Sequence, residues 1–148
     1  MASLSREKNC MSDEQIFVDT NILVYAHDRD AKEKHRIASE KVKDLWSREL
    51  LPSISVQVLQ EFYVTLVKRK VAIPVARDTV TNYLEWDVIS NDRSLFLEGI
   101  ELQERWKLSF WDALILTAAK RAKAAILWSE DLNPGQDFDG VLVVNPLM

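Results

Sequence analysis

Short apolar runs alternate with longer amphipathic segments along almost the whole chain. The runs that predict strands are residues 15–18, the neighbourhood of Ile54, and residues 87–90, 125–128 and 141–144. The segments whose apolar positions recur at three and four residues, and which predict helices, are residues 20–26, 30–49, 55–70, 75–85, 92–106 and 109–124. This alternation predicts an α/β fold in which about five short strands form a central parallel sheet, with helices on both faces.

The length and the hydrophobic content are those of one folded domain. The chain has 148 residues, of which 47% are hydrophobic, and its 3 Gly and 4 Pro mark no linker between separate units. The polar leader over residues 1–13 lacks the apolar centre of a signal peptide, so we expect it to be disordered and residues 14–148 to form the domain. The lone Cys10 has no partner for an internal disulfide, which favours a reducing, cytoplasmic location. No apolar run reaches the roughly 18 residues that a membrane helix needs.

The net charge argues against a simple nucleic-acid-binding protein. Lysine and arginine number 19 against 23 acidic residues, a formal net charge of -4, whereas phosphate contacts usually draw on a surplus of basic side chains. A cluster of carboxylates that binds a divalent cation is much less negative in effect, and the remaining cations still attract phosphate locally. The charge therefore makes nucleic acid a less favoured partner without excluding it.

Acidic residues follow two of the predicted strands. Asp19 comes directly after residues 15–18, and Asp131 lies shortly after residues 125–128. The carboxyl ends of parallel strands meet at one edge of a sheet, where loops converge and ligands bind. Two carboxylates at that edge repel each other unless a cation binds between them or their pKa values rise. Magnesium, which prefers oxygen ligands and orients water and phosphodiester groups, is the natural candidate.

Several of these acids also have an ordinary structural interpretation. Asp19 is well placed to cap the helix that follows it. Asp112 follows Ser109 at the spacing of a capping box, with Asp in the place of the usual Glu or Gln. Asp131 precedes a Leu-Asn-Pro sequence and suits a turn, while Glu130 beside it leaves the identity of any metal ligand open.

One side of the helix predicted over residues 55–70 is polar. Glu61 lies on this side with Gln57, Thr65 and Lys68, away from the apolar stripe, as an ordinary solvated Glu does. The cations at residues 68–70 suit the negative end of the helix dipole, and contact with phosphate is the alternative interpretation for them.

Histidine and tryptophan define no site by themselves. The two histidines, His27 and His35, lack partners at metal-ligand spacing, and we expect them at the surface. The tryptophans fall mostly within periodic segments, which favours packing in the core or in an interface over stacking on bases. They are Trp46, Trp86, Trp106, Trp111 and Trp128.

Four short motifs resemble, in order and spacing, those of the PIN-domain family. They are FVDTNIL at residues 17–23, QEF at 60–62, WDALI at 111–115 and SEDL at 129–132. The resemblance spans roughly residues 15–147, nearly the whole chain, and points especially to the VapC-type toxins of bacterial toxin–antitoxin pairs, which the ending GVLVVNP at residues 140–146 also suits. Each motif alone is weak, and the combination is specific.

The resemblance implies a set of functional residues. The acids that it implies as catalytic are Asp19, Glu61, Asp112 and Asp131, of which Asp19, Asp112 and Asp131 bind metal. The residues implied as supporting hydrogen-bond partners are Thr20, Asn21 and Ser129. Asp131 is chosen as the last acid because it fits the family's Ser/Thr-x-Asp motif, whereas Asp137 and Asp139 fall in the following Gly-containing loop and are taken as peripheral.

The resemblance also implies an activity and partners. A protein of this kind is expected to be a magnesium-dependent endoribonuclease that hydrolyses RNA phosphodiester bonds, with manganese able to replace magnesium. The implied partners are structured RNA such as tRNA or rRNA, a cognate antitoxin protein and a second copy of the chain in a homodimer, with no membrane. The alternative is a non-catalytic PIN-like domain that binds RNA or protein. A receiver-type phosphoacceptor domain is disfavoured because no Lys follows Asp131.

Overall fold

The fold is built on a five-stranded parallel sheet, as the sequence predicts. The computed structural model describes residues 14–148, so the expected disorder of residues 1–13 lies outside the described residues. In that part of the chain the strands are β1 (Ile16–Val18), β2 (Ser53–Ser55), β3 (Asp87–Ile89), β4 (Ile126–Trp128) and β5 (Leu142–Val144). They lie in the order β3-β2-β1-β4-β5, and every neighbouring pair of strands is parallel.

Six α-helices surround the sheet in the described part of the chain. They are α1 (Thr20–His27), α2 (Glu33–Trp46), α3 (Val56–Lys68), α4 (Ile73–Asn82), α5 (Arg93–Trp106) and α6 (Phe110–Arg121). Short 3-10 turns follow α1 and α4, at Arg29–Ala31 and Tyr83–Glu85. Within residues 14–148, no helix is long and apolar enough to cross a membrane.

The central strands are buried on both faces of the sheet. All three residues of β1 are buried, although successive side chains of a strand point to opposite faces. The middle residues of four strands have no exposed surface, and these are Phe17, Ile54, Leu127 and Val143. Helices therefore cover both faces, as an all-parallel sheet requires.

Side-chain caps fix where the helices that carry the acids begin. Asp19 caps α1, Ser55 caps α3 by accepting the Val58 N–H at 3.2 Å, and Ser109 caps α6 by accepting the Asp112 N–H at 3.1 Å. Asp19 and Asp112 thus both lie at helix N-termini, where the helix dipole favours negative charge. The capping interpretation of these two aspartates and their position in a shared site are compatible.

Helix α4 differs from its predicted bounds by two residues at its start and by three at its end. Helix α4 begins at Ile73 and not at Val75, because Pro74 in the first helical turn has no N–H that needs an acceptor. The helix ends at Asn82, and a separate 3-10 turn takes the place of its predicted continuation. The bounds of the other predicted helices likewise agree with the structure to within three residues at each end.

Helices α5 and α6 approach each other closely at Gly99. A Cβ atom at this position would lie 2.6 Å from Leu114 Cδ2, so a larger residue would displace that side chain or separate the helices. Leu114 is itself buried, which leaves it little room to move. This close contact fixes the position of α6, whose first turn carries Asp112.

Candidate active site

Asp19 and Ser129 lie side by side just beyond the carboxyl ends of two neighbouring strands. Strands β1 and β4 are paired so that Val18 lies opposite Trp128, and the Asp19 N–H donates to the Trp128 carbonyl oxygen at 2.9 Å. Ser129 Oγ donates to Asp19 Oδ2, also at 2.9 Å. Ser129 has no exposed surface and Asp19 is 6% exposed, so this hydrogen bond is shielded from water.

The Ser129 hydroxyl also organises the loop that follows β4. It accepts hydrogen bonds from the backbone N–H groups of Asp131 at 3.2 Å and of Leu132 at 3.3 Å. One hydroxyl thus donates to Asp19 and accepts from the loop, which uses its full hydrogen-bonding capacity. The loop holds Asp131 close enough for its charge to raise the pKa of Asp19.

The pKa of Asp19 is raised from its ordinary value of 3.8 to about 7. Burial is the main cause, because desolvation penalises the charged form of the carboxyl group. Hydrogen bonds from Ser129 and from the Thr20 N–H, which reaches Asp19 Oδ1 at 2.7 Å, lower the pKa. The charges of Glu61 and Asp131 raise it further. At neutral pH this carboxyl group is therefore poised between its protonated and ionised forms.

Glu61 reaches the same place from α3. Thr20 Oγ1 donates to Glu61 Oε1 at 2.6 Å, which joins α3 to the start of α1. The buried Gln57, one turn earlier on α3, donates through Nε2 to Glu61 Oε2 at 3.4 Å and to the Trp111 carbonyl oxygen at 3.5 Å. Through these two long hydrogen bonds Gln57 connects Glu61 with the start of α6.

Asp112 completes the cluster from the first turn of α6. Its side chain is partly buried, and this burial is the main cause that raises its pKa. The hydrogen bond with Ser109 lowers the pKa, while the charges of Asp131 and Glu61 raise it. Asp131 and Glu61 thus act on both Asp19 and Asp112, which places all four carboxylates in one electrostatic cluster.

The four carboxylates line a single cleft of about 460 Å³. The predicted site residues in its lining are Asp19, Glu61, Asp112, Asp131, Thr20 and Asn21. Ser129 is buried behind Asp19 and does not form part of the lining. Asn21 Oδ1 is buried and accepts no hydrogen bond from any described residue. The structure therefore brings the predicted residues together, and the catalytic roles assigned to them stay a prediction.

Three other acids near the last motif lie outside the cleft lining. Glu130 accepts hydrogen bonds from the Tyr25 hydroxyl at 2.8 Å and from the Lys34 ammonium at 2.7 Å. Asp137 accepts a backbone N–H of its own loop at 2.7 Å, and Asp139 forms an ion pair with an arginine of α5 at 2.6 Å. These contacts occupy the three carboxylates in structural roles, and the expectation that Asp137 and Asp139 are peripheral to the site stays a prediction.

Part of the cleft wall was not predicted from the sequence. Gln57, Thr65 and Lys68 share the side of α3 that carries Glu61, which was expected to face solvent, yet all of them line the cleft. The shared helical spacing was the signal, because residues three and four apart lie on one face. Trp111 does not pack in the core, since it is 62% exposed at the cleft, and the alternative that it packs in an interface stays a prediction.

The oxygen atoms of the cleft are suitable ligands for a divalent cation. Within residues 14–148, no three His, Cys, Asp or Glu side chains are arranged to surround one metal ion. Magnesium does not need such a cage, because it usually takes one or two carboxylates and keeps water or substrate phosphate at its other positions. The carboxylate oxygens, the raised pKa of Asp19 and the unpartnered Asn21 oxygen fit an ion held in this way.

The sequence model of the PIN domain family matches residues 16–136. The match spans well over half of the chain, and the chain therefore belongs to the PIN domain family. It includes the positions of all four acids in the cleft. No curated protein matches the sequence.

Three solved structures share the fold. A toxin–antitoxin complex from Klebsiella pneumoniae is 21% identical, with a TM-score of 0.66, and the alignment covers 89% of this chain and 98% of that one. VapC20 from Mycobacterium tuberculosis, described as a sarcin-ricin loop cleaving toxin, is 22% identical, with a TM-score of 0.62 and coverage of 79% and 90%. VapBC2 from Rickettsia felis, bound to a DNA fragment from its promoter, is 18% identical, with a TM-score of 0.60 and coverage of 86% and 96%.

The raised pKa of Asp19 predicts how the stability of the metal-free protein depends on pH. Between the unfolded value of 3.8 and the folded value of about 7, the folded state binds the proton more tightly, so the free energy of unfolding falls as pH rises. Relative to Asp19→Asn, the wild type should lose about 3 kcal/mol between pH 5 and pH 8. Urea unfolding of both proteins in EDTA at pH 5 and pH 8 measures this difference. An equal change in the free energy of unfolding of the two proteins between these pH values would contradict the raised pKa of Asp19.

Proposed function

We propose that this chain is a metal-dependent endoribonuclease and the toxin of a toxin–antitoxin pair. The observation that carries the proposal is the cleft in which four acids meet around the buried Asp19. Membership of the PIN domain family, and a fold shared with a sarcin-ricin loop cleaving toxin, support hydrolysis of RNA. The nuclease domain of this proposal comprises residues 14–148.

The cofactor in this proposal is Mg²⁺, with Mn²⁺ able to replace it. Asp19, Asp112 and Asp131 would hold the ion, directly or through water molecules. When bound, it would polarise a water molecule and the phosphodiester and offset negative charge in the transition state. Asn21 Oδ1, which lacks a donor among the described residues, is a further oxygen available at the cleft.

The chain's own groups hold this arrangement and transfer the proton. Ser129 and the Thr20 N–H stabilise the ionised form of Asp19, which is the form that binds a cation. Glu61 lines the cleft and is fixed through Thr20, and in this proposal it accepts a proton from the attacking water. The hydroxyl of Ser129 keeps the loop of Asp131 at the cleft.

The proposal also names partners. The substrate is RNA, with structured species such as tRNA or rRNA as the candidates, and the protein partners are a cognate antitoxin and a second copy of the chain. The toxin–antitoxin complexes among the structures of similar fold support the antitoxin. RNA and an antitoxin as partners imply a cytoplasmic location.

A non-catalytic PIN-like domain that binds RNA or protein is the second candidate function. It would use the same cleft for binding, and its acids would have no part in bond cleavage. Cleavage of RNA that depends on the acids separates the two functions.

Replacing Asp19 with Asn is predicted to abolish most of the RNA cleavage. The change removes a charge at the cleft at almost constant volume, so the cleavage rate should fall by about two orders of magnitude or more. Total cellular RNA, incubated with each protein in Mg²⁺ or in EDTA and resolved on a denaturing gel, measures the effect. Asp78→Asn is the matched control, because Asp78 lies on α4 with its side chain 73% exposed and does not line the cleft.

The expected pattern is discrete fragments from the wild type and Asp78→Asn in Mg²⁺, and none in EDTA. Cleavage by Asp19→Asn at the wild-type rate would refute the role of Asp19. RNA that is bound but left intact by the wild type would favour the non-catalytic domain.

Lys68 is predicted to contact an RNA phosphate, since it lines the cleft at the C-terminal end of α3. Lys68→Ala should lower the slope of log K against log salt by about 0.7, the value for one phosphate contact on a single strand. Anisotropy of a fluorescein-labelled oligoribonucleotide, in an Asp19→Asn background that leaves the probe intact, measures the slope. Lys41→Ala on the exposed side of α2 should leave the slope unchanged. A slope equal to that of the parent protein would exclude the contact.

A further inference from the structure

Trp111 has a large apolar side chain that is exposed to solvent at the edge of the acidic cleft. Its side chain is 62% exposed, whereas Trp86 is 3% exposed and the other tryptophans of the described chain are partly buried against the core. Trp111 lines the cleft and directly precedes Asp112 in the first turn of α6. The packing that explains the other tryptophans therefore does not explain this one.

The Trp111 backbone and the Trp111 indole each have one neighbour that leaves the indole uncovered. Its backbone carbonyl accepts the long hydrogen bond from Gln57, and its ring meets the Phe110 ring edge to face, with centroids 5.4 Å apart. Phe110 packs in turn on Phe96, with centroids 5.8 Å apart. The contact with Phe110 restricts the indole before any ligand arrives, and a restricted side chain loses less entropy on binding.

The cleft follows α3 and changes in character along it. Gln57, next to Trp111, and Lys68 are eleven residues apart on this helix, which at 1.5 Å per residue is about 16 Å. Glu61 and the acid cluster lie between them. Among residues 14–148, no carboxylate forms an ion pair with the Lys68 ammonium. The wall therefore offers an aromatic ring, a set of carboxylates and a cation in that order.

This order matches the chemistry of a single nucleic-acid strand, in which flat bases alternate with anionic phosphates. Trp111 lines the same cleft as the four acids, so a strand whose phosphodiester lies at the acid cluster passes within reach of the indole. A further phosphate of the same strand would meet Lys68. Exposed aromatic rings beside cations are the usual elements by which proteins hold single strands, through stacking on the bases and contact with the phosphates.

We propose that Trp111 stacks on the base of a nucleotide that adjoins the scissile phosphodiester. This inference rests on the proposed ribonuclease function and specifies its substrate further. A base that stacks on the indole is free of its own helix, so the cleaved bond lies in a single strand or a loop of the RNA. Because every base has a π-face, the contact sets the position of the strand in the cleft more than the identity of the base.

The test compares Trp111→Ala, Trp111→Leu and Trp111→Phe with the wild type. Cleavage sites are first mapped in total cellular RNA by primer extension, and a 20-nucleotide RNA that spans one mapped site is then the substrate for kcat/KM. Stacking needs a flat ring, so Ala and Leu should each lower kcat/KM about 10-fold or more, mostly through KM, and Phe should recover most of the loss. Leu97→Ala, an exposed apolar residue of α5 outside the cleft, is the control for surface changes.

A second measurement identifies the stacked nucleotide. An abasic site placed next to the cleaved bond should lower wild-type kcat/KM to the level of Trp111→Ala, and it should leave the kcat/KM of Trp111→Ala unchanged. The melting temperature of each variant, expected to equal that of the wild type because Trp111 is largely exposed, separates loss of the contact from loss of the fold.

The outcomes that overturn the stacking differ from those that overturn the ribonuclease. Wild-type activity in Trp111→Ala, while Asp19→Asn is inactive, would refute the stacking proposal and leave the proposed ribonuclease function intact. A Leu variant as active as the Phe variant would indicate a general apolar contact, of the kind that a protein partner makes, and would also overturn the stacking. A wild-type protein that cleaves no cellular RNA would contradict the proposed function and this inference with it.

Discussion

The hydrogen bond from Ser129 to Asp19 connects the parallel sheet to the site, and the arrangement of the acids depends on it. It forms because β1 and β4 are neighbours in register, so that the residues just after each strand lie side by side. The same hydroxyl accepts two backbone N–H groups of the next loop and thereby holds Asp131 at the cleft. The buried Ser129 thus connects the sheet with the Asp19 carboxylate and with the loop that carries Asp131.

The cleft brings negative charges together, and the hydrogen bonds of the metal-free protein offset their repulsion only in part. Burial and the charges of neighbouring acids oppose the ionised form of Asp19, while two hydrogen bonds favour it, and the result is a pKa of about 7. A proton or a cation is therefore needed at neutral pH to offset the repulsion. Sites that combine burial with like charges are costly to fold, and such sites are usually functional.

The sequence predicted the sheet because β1, β4 and β5 are apolar throughout. It placed Asp19 and Asp131 at the edge of the sheet because they follow β1 and β4. Resemblance, not local pattern, selected Glu61, since the polar side of α3 looks like any solvated helix face until α1 and α6 are packed against it. The exposure of Trp111 could not be predicted either, because helical periodicity does not show which other elements pack against a given side chain. The start of α4 was missed because Pro74 was taken to precede a helix that contains it.

The central claim is that the four acids meet in order to bind a divalent cation. Thermal unfolding of the wild type and of Asp19→Asn in increasing MgCl₂, with KCl at matched ionic strength as the control, tests it at pH 5 and pH 8. We predict that Mg²⁺ raises the wild-type Tm by several degrees at pH 8 and less at pH 5, where protons compete for Asp19, and that it barely shifts the variant. A wild-type Tm that does not change with Mg²⁺ beyond the KCl control, or equal shifts in both proteins, would contradict the claim.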